Sequence, residues 1–265
     1  MELRFSTIAS SSKGNCIYVG SEHTNILIDA GLSGKRIEEG LKSLELTGND
    51  IDAIFVTHEH NDHVAGVGVL SRRYNIPVYA TEGTWNNMPN CVGAFRRNME
   101  HTVYANELCY INDICIKAFN IPHDAAEPVG YSIFNDKNKV TIATDIGHIS
   151  DSVAENIQGS SLVLLESNHD INMLKNGAYP LHLKERILGE NGHLSNINAG
   201  KFLSGLDASV LKYVFLGHLS QENNTPRIAF DTVSSIVREN GVELGGDYDM
   251  WVAPPYGVKR RIVLQ

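Results

Sequence analysis

The chain has 265 residues, of which 42% are hydrophobic and 20% are charged. This is enough apolar material for a full core, and the length fits one large α/β domain or two small ones. The formal net charge of −9 argues against a general electrostatic attraction to nucleic acid. It does not exclude a nuclease, because divalent ions and local basic clusters supply positive charge at a site. Since no linker-like or repetitive segment interrupts the sequence, we expect a single domain over residues 1–265.

Targeting signals and disulfide motifs are missing from the sequence. Its first residues lack the basic start and apolar run of a signal peptide. Its apolar stretches stay well short of the roughly 20 residues that a membrane span needs. The four cysteines show no CxxC spacing, which favours reduced thiols. We therefore expect a cytoplasmic protein that does not associate with membranes.

Short apolar runs and helical periodicity predict the secondary structure. The run at residues 53–56 is typical of a strand buried on both faces, and Ile37, Leu41 and Leu44 share one face of a helix. The predicted strands cover residues 17–20, 25–29, 53–56, 77–80, 131–134, 140–144, 162–165, 213–216, 251–253 and 261–264. The predicted helices cover residues 37–48, 63–73, 181–188, 197–206 and 226–239. Two runs of strands with interspersed helices favour two sheets packed face to face with helices outside, an αββα four-layer sandwich of the α/β class, although periodicity alone does not establish that arrangement.

The segment that follows the 53–56 strand carries the strongest chemical signal. Its sequence, Thr-His-Glu-His-Asn-Asp-His, places His58, His60, Asp62 and His63 within six residues. In a loop at the carboxyl end of a strand, His58 and His60 are able to face one metal ion, while Asp62 and His63 turn toward a second. Neutral imidazole and carboxylate groups suit zinc, manganese or iron. The alternative, a surface loop that happens to be rich in histidine, does not account for this spacing.

Three later segments each offer one further ligand at the end of an apolar stretch. They are His123, Asp145 and His218. Taken singly, a histidine at a strand end is more often structural. Together with the first cluster, the three residues complete the ligands that a site for two metal ions requires.

The ordered set of HxHxDH, an upstream Asp29 and these later ligands resembles the metallo-β-lactamase superfamily. The resemblance implies an αββα fold. It also implies that Asp29 orients the site by hydrogen bonding without binding metal. The implied ligand sets are His58, His60 and His123 for one ion, and Asp62, His63 and His218 for the other, with Asp145 bridging. Because His60 stands where the diiron oxidoreductases of this superfamily have a carboxylate, hydrolysis is favoured.

Two neighbouring Zn²⁺, Mn²⁺ or Fe²⁺ ions lower the pKa of a shared water, so that a bridging hydroxide becomes the nucleophile at neutral pH. Asp62 is placed to orient that hydroxide and is our first candidate catalytic residue. The metal ligands do not distinguish phosphodiester from thioester or amide hydrolysis. The choice of substrate therefore depends on residues outside them.

Several segments are candidates for contacts with a substrate phosphate. The polar turn at residues 10–16 presents Lys13 and backbone N–H groups, although a plain hairpin turn fits equally well. Ser195 and Asn196 begin a predicted helix, where either phosphate binding or simple N-capping is expected. Lys184 and Arg186 lie on the preceding predicted helix. The basic runs at residues 72–73 and 259–261 have the appearance of ordinary solvated faces.

These segments, with Ser-Ser-Lys-Gly-Asn-Cys near the start and Gly-His-Leu-Ser-Asn at residues 192–196, resemble the YycJ/WalJ-type branch. That branch is similar to RNase Z-like and β-CASP nucleases without their inserted cap domain. The resemblance implies a 5′-to-3′ DNA exonuclease. It also implies that His193 holds the scissile phosphate or protonates the leaving oxygen, as a second catalytic residue. Of the other histidines, His148 and His169 are able to line the pocket.

Two other functions remain open from the sequence. One is a small-molecule hydrolase such as a glyoxalase II-like thioesterase, which would turn over glutathione thioesters and no DNA. The other is a metal-bound adaptor without turnover, which would tolerate the loss of Asp62 or His63. Neither the native metal nor the oligomeric state follows from the sequence.

Overall fold

A computed structural model describes residues 2–265. The chain divides into two compact units. Unit 1 comprises the residues up to Asn120, together with Ala125–Asn138 and Pro254–Gln265, and unit 2 comprises Ile121–Asp124 and Lys139–Ala253. This division does not decide whether the chain folds as one domain, so the single-domain expectation stays a prediction.

Unit 1 contains a seven-stranded mixed sheet in the order β14-β1-β2-β3-β4-β5-β6. Strand β1 pairs antiparallel with β14 and β2, and β2 pairs antiparallel with β3, whereas β3 to β6 run parallel. The strands are β1 (Leu3–Ser11), β2 (Gly14–Gly20), β3 (Asn25–Ile28), β4 (Ala53–Phe55), β5 (Val78–Ala80), β6 (Glu100–Thr102) and β14 (Ile262–Leu264). The sequence did not predict β1, because its buried positions include serines and a threonine that read as polar.

Unit 1 also contains three antiparallel strands in the order β9-β8-β7. They are β7 (Leu108–Ile111), β8 (Ile114–Asn120) and β9 (Val129–Phe134). The helices of this unit are α1 (Gly34–Ser43), α2 (Asn61–Val64), α3 (Val67–Tyr74) and α4 (Glu82–Asn86), with 3₁₀ turns at Gly48–Asp50 and Asn90–Val92.

The single helix predicted over residues 63–73 is wrong, because α2 and α3 are separate helices. The chain passes close to another loop at the break, where the Gly66 N–H donates to the Ala30 carbonyl over 2.7 Å. A Cβ at position 66 would lie 2.3 Å from the carbonyl oxygen of Leu32. Only glycine fits this contact, which holds the metal-ligand segment against the loop that follows β3.

Unit 2 contains four parallel strands in the order β13-β12-β11-β10. The near-continuous apolar runs of β10, β11 and β12 are buried, as is typical of parallel strands. The strands are β10 (Lys139–Ala143), β11 (Leu162–Glu166), β12 (Tyr213–Gly217) and β13 (Asp249–Val252). The helices are α5 (Asp151–Ile157), α6 (Ile171–Asn176), α7 (Leu181–Leu188), α8 (Asn196–Leu203) and α9 (Pro226–Glu239).

The predicted strands of unit 2 and helices α7 and α9 agree with the structure to within two residues. Helix α8 ends earlier than predicted, at Leu203 in place of residue 206. In the part of the chain that the structure describes, no helix combines the length and apolar character needed to cross a membrane.

Candidate metal centre

The HxHxDH segment brings its side chains together at the carboxyl end of β4. His58 and His63 have no exposed surface, and their ring centroids lie 4.1 Å apart. His58 Nε2 lies 3.0 Å from His60 Nδ1, and His63 Nε2 lies 3.4 Å from Asp62 Oδ2. Helix α2 begins directly after His60, its N-cap residue, and carries Asp62 and His63 in its single turn. The helical turn keeps these three side chains close together.

Asp29 fixes the orientation of His63 from the end of β3. It is 1% exposed, and its Oδ2 lies 2.7 Å from His63 Nδ1. Its Oδ1 accepts from the Thr57 backbone N–H over 2.8 Å. Burial raises the pKa of Asp29, and the neighbouring His63 opposes this rise. With Nδ1–H donated to Asp29, the lone pair of His63 Nε2 points away from Asp29, as a metal ligand requires.

Asn15 contacts the same pair of side chains, a role that sequence reasoning missed. It lies in β2 without exposed surface, and its Oδ1 accepts from the Ser11 backbone N–H over 3.2 Å. That bond fixes the side-chain amide so that Nδ2 faces Ser11 O at 3.1 Å, His63 Nε2 at 3.1 Å and Asp62 Oδ2 at 3.4 Å. No sequence signal identifies Asn15, because β1–β2 pairing brings it to the site.

The acceptors around Asn15 suit a cation. The amide Nδ2 faces Ser11 O, His63 Nε2 and both the backbone oxygen and the carboxylate of Asp62. The imidazole and carboxylate groups of this cluster therefore fit a divalent ion such as zinc or manganese.

Unit 2 brings its own predicted ligands together. Asp145 Oδ2 lies 3.0 Å from His218 Nδ1, and Asp145 Oδ1 lies 3.8 Å from His123 Nε2. All three residues are at most 6% exposed. Burial lowers the pKa of His123, which favours the neutral imidazole that binds metal, although the carboxylate of Asp145 opposes this effect. This cluster has the same chemistry as the one in unit 1.

Sequence reasoning missed Glu166, the last residue of β11. It is fully buried and accepts from His193 Nδ1 over 2.8 Å. Ligand atoms of Asp145, Glu166, His193 and His218 all lie within 4.8 Å of one another. The only signal in the sequence was a carboxylate at the end of a strand, the same signal that identified Asp145.

Glu166 controls the charge of His193. Burial lowers the pKa of His193, but the Glu166 carboxylate and its hydrogen bond outweigh burial and raise the pKa to about 9. The second carboxylate oxygen of Glu166, Oε2, accepts from the backbone N–H groups of Ile146 at 2.7 Å and Leu194 at 3.2 Å. Glu166 therefore favours the protonated imidazole of His193 and orients it, while the two backbone N–H groups hold the carboxylate in place.

The predicted phosphate contacts have mixed surroundings. Lys13 is exposed at the tip of the β1–β2 hairpin. Lys184 Nζ donates to the Lys175 carbonyl over 2.8 Å, and the Arg186 guanidinium binds the Asp124 carboxylate through two nitrogens. Ser195 Oγ accepts from the Asn198 N–H as the N-cap of α8, and buried Asn196 accepts from Ser167 Oγ. These bonds give Ser195 and Asn196 a structural role, and a phosphate role for any of the five residues stays a prediction.

The two remaining histidines near strand ends differ in exposure. His148 is exposed, and its Nδ1 lies 2.9 Å from the Glu190 carbonyl. His169 is 1% exposed, and neither ring nitrogen has a hydrogen-bond partner among residues 2–265. Burial lowers the pKa of His169 to about 4, so this imidazole is neutral.

An α/β fold whose strands end in buried imidazole and carboxylate clusters defines a metal-dependent hydrolase. Residues 24–215 match the family described as "Beta-lactamase superfamily domain". The chain belongs to the metallo-β-lactamase superfamily and, within it, to the YycJ/WalJ type.

The relatives that establish this type match over nearly their whole length. The chain is 40% identical over 255 residues to a Bacillus anthracis protein named exodeoxyribonuclease YycJ, covering 96% of this chain and 97% of that protein. It is 36% identical over 254 residues to a Streptococcus pneumoniae protein named exodeoxyribonuclease WalJ, covering 95% and 94%. Among solved structures, the metallo-β-lactamase fold protein YhfI from Bacillus subtilis is similar, with a TM-score of 0.70, 12% identity and 99% of both chains covered. This likeness confirms the predicted fold class.

Proposed function

We propose that this chain is a DNA exonuclease that hydrolyses phosphodiester bonds with two divalent metal ions. The observation that carries the proposal is the near-full-length similarity to two proteins named exodeoxyribonucleases. The residues on which such chemistry depends are present in both units. Digestion from 5′ ends is part of the proposal and rests on the resemblance to the YycJ/WalJ type.

The proposed ligands follow the superfamily pattern. His58, His60 and His123 would hold one ion, and Asp62, His63 and His218 would hold the other, with Asp145 as a ligand shared by both. Within unit 1, the proposal is supported by the contacts of His63 Nε2 with Asp62 Oδ2 and of His58 Nε2 with His60 Nδ1. Within unit 2, it is supported by the contacts of Asp145 with His123 and His218.

When bound, divalent ions ionise a water molecule and neutralise the charge of the attacked phosphate. Asp62, a partly exposed carboxylate, accepts a proton from the attacking water and orients its oxygen toward phosphorus. As the new P–O bond forms, the bond to the leaving sugar oxygen breaks. His193 donates its proton to that oxygen, and Glu166 holds the imidazole in place for the transfer.

The direct test is incubation of metal-loaded protein with end-labelled single- and double-stranded DNA, with RNA, and with glutathione thioesters. We expect DNA hydrolysis. A 5′ label should be released at once as a mononucleotide, whereas a 3′ label should remain on a ladder of shortening strands. Turnover of thioesters alone would contradict the proposal in favour of a glyoxalase II-like enzyme.

Substitution of Asp62 tests the role of the ligand cluster in that activity. Asp62→Ala should abolish DNA hydrolysis, because it removes both a proposed metal ligand and the proton acceptor. Asp136→Ala removes an exposed carboxylate between β9 and β10 and serves as the matched control. Full activity of Asp62→Ala would mean that the hydrolysis belongs to a different site or to a contaminant.

A further inference from the structure

The chain segment before β14 follows β1 along its length. It leaves the end of β1 at Pro254 and reaches the start of β1 at Ile262, so it runs antiparallel to that strand. Three contacts fix its course: Ser10 N–H to Pro254 O at 3.2 Å, Gly257 N–H to Ile8 O at 2.9 Å, and Ser6 Oγ to Arg260 O at 2.7 Å. The segment is therefore an ordered part of unit 1, and Lys259 has a defined place on it.

Helix α1 is attached to this segment. The Arg36 guanidinium lies 5.2 Å from the centre of the Tyr256 ring, and Tyr256 Oη donates to Glu39 Oε2 over 2.8 Å. The helix also packs directly on β1, since a Cβ at Gly40 would lie 2.4 Å from Ile8 Cγ2. Lys35 and Arg36 are exposed in the first turn of this helix, and the contact with Tyr256 places Arg36 beside the segment.

These cations, with Lys13 at the hairpin tip, form a basic strip, which we define as Lys13, Lys35, Arg36 and Lys259. None of the four makes an ion pair within residues 2–265. Of the carboxylates on the same helix, Glu38 is bound by Arg73 and Tyr74, whereas Glu39 accepts a hydrogen bond from Tyr256 and keeps its negative charge. The chain has a net charge of −9, so its average surface is acidic. Four cations without an ion pair differ from that average.

One end of the strip reaches the proposed metal ligands. Asn15, which pairs with Ser10 beside the hairpin tip, lies 3.1 Å from His63 Nε2. From Ser11 to Ser6 the strand covers roughly 17 Å, at about 3.3 Å per residue. A DNA strand rises about 3.4 Å per nucleotide, so the strip has the length of about five nucleotides.

We infer that the basic strip binds the phosphate backbone of the DNA substrate on the side away from the bond that is cleaved. This inference rests on the proposed function and adds where the uncleaved part of the substrate lies. Charge complementarity favours a polyanion along the strip, and the length of the strip favours an extended one over a single anion. The strip also explains how an acidic chain holds DNA, since the necessary cations are gathered beside the site.

The experiment compares Lys35→Ala/Arg36→Ala/Lys259→Ala with Lys201→Ala/Lys212→Ala/Arg238→Ala. The second triple variant removes the same charge from exposed positions in unit 2. Lys13 is left intact because it lies next to the proposed site. We expect the strip variant to raise KM for a 30-nucleotide duplex at least tenfold with kcat unchanged. The slope of log(1/KM) against the logarithm of the salt concentration should become less negative by up to about three, close to one for each lost phosphate contact.

A trinucleotide substrate supplies a second readout, because it is too short to extend along the strip from Lys13 to Lys259. Its KM should be the same for the strip variant, the control variant and the unaltered protein. The double variant Lys35→Ala/Lys259→Ala keeps the Arg36–Tyr256 contact and should show about two thirds of the change in salt dependence. Melting temperatures check that each variant is folded.

The possible outcomes separate the two proposals. If the unaltered protein hydrolyses DNA and the strip variants match the control in KM and salt dependence, the strip does not bind DNA, and the proposed function stands. If the unaltered protein hydrolyses no DNA under any metal loading, the proposed function fails, and this inference fails with it.

Discussion

Glu166 and His193 form a carboxylate–imidazole pair whose geometry leaves Nε2 of His193 as the nitrogen that is able to donate a proton to a substrate. Because Glu166 accepts from Nδ1, that nitrogen is protonated, and Nε2 is the atom available to a substrate. Glu166 in turn accepts from the backbone N–H groups of Ile146 and Leu194, so it is not free to rotate. At the residue scale, the pair therefore has the arrangement of an oriented general acid.

Glu166→Gln tests this arrangement. The two backbone N–H groups require an acceptor, so the amide oxygen should face them and the NH₂ group should face His193. Nδ1 then becomes an acceptor, and the ring adopts the opposite tautomer. We expect kcat for DNA to fall roughly 10²–10⁴-fold, measured at saturating substrate.

Metal content distinguishes orientation of His193 from direct ligation by Glu166. If Glu166 acts through His193, metal bound per chain stays the same in Glu166→Gln, and His193→Ala gives a loss of similar size. The double variant should then be little worse than either single variant, because the two residues act as a unit. A loss of metal in Glu166→Gln would instead make Glu166 a ligand.

Strand ends are the elements that place the proposed ligands. Asp29, Asp145 and His218 each follow a strand, and each has a positive φ, of 61°, 58° and 53°. This left-handed conformation is uncommon for residues other than glycine and costs roughly 1–2 kcal/mol. The same unfavourable turn at three strand ends directs functional side chains out of the strands, at the expense of stability.

The β3–α1 loop shows how closely the elements around the HxHxDH segment pack. A Cβ at Gly31 would lie 1.6 Å from the backbone oxygen of Asp62, and the Gly31 N–H donates to Asn15 O over 2.7 Å. Gly31→Ala must therefore displace the segment that carries Asp62 and His63. We expect a loss of about 1–3 kcal/mol in the free energy of unfolding, together with weaker metal binding.

Chemical denaturation and metal titration measure the two effects of Gly31→Ala. Gly205→Ala is the matched control, since its nearest neighbour is Phe202 O at 3.6 Å and its φ is not positive. The control should be unchanged in metal affinity. Unchanged stability and affinity in Gly31→Ala would show that the loop has room to move and does not position the ligands.

Sequence patterns predicted those features that are local in the chain. The HxHxDH segment lies within six residues, and the apolar runs of β10 to β12 identify strands that are buried on both faces. Asn15 and Glu166 could not be found in this way, because each becomes functional only through pairing with distant residues. The break between α2 and α3 was missed for the same reason, since it depends on the contact of Gly66 with the β3–α1 loop.

For the whole molecule, the net charge was a poor guide to the local charge of the surface. The order of the proposed ligand residues along the chain was a good guide to the family and the fold class. A net charge of −9 describes the average surface, whereas the basic strip is a local arrangement that depends on β1 and the chain terminus lying side by side. The fold class followed from a resemblance carried by a handful of residues. It did not follow from the secondary-structure pattern alone, which also fits other α/β proteins.

The central claim is that this chain binds two divalent ions through the proposed ligands. The most direct measurement is metal content by mass spectrometry after loading with Zn²⁺, Mn²⁺ or Fe²⁺ and extensive dialysis. We expect about two ions per chain in the unaltered protein and in Asp136→Ala, and at most one in Asp145→Ala, which lacks the proposed bridging carboxylate. An unaltered protein that retains no metal under any loading condition would contradict the account.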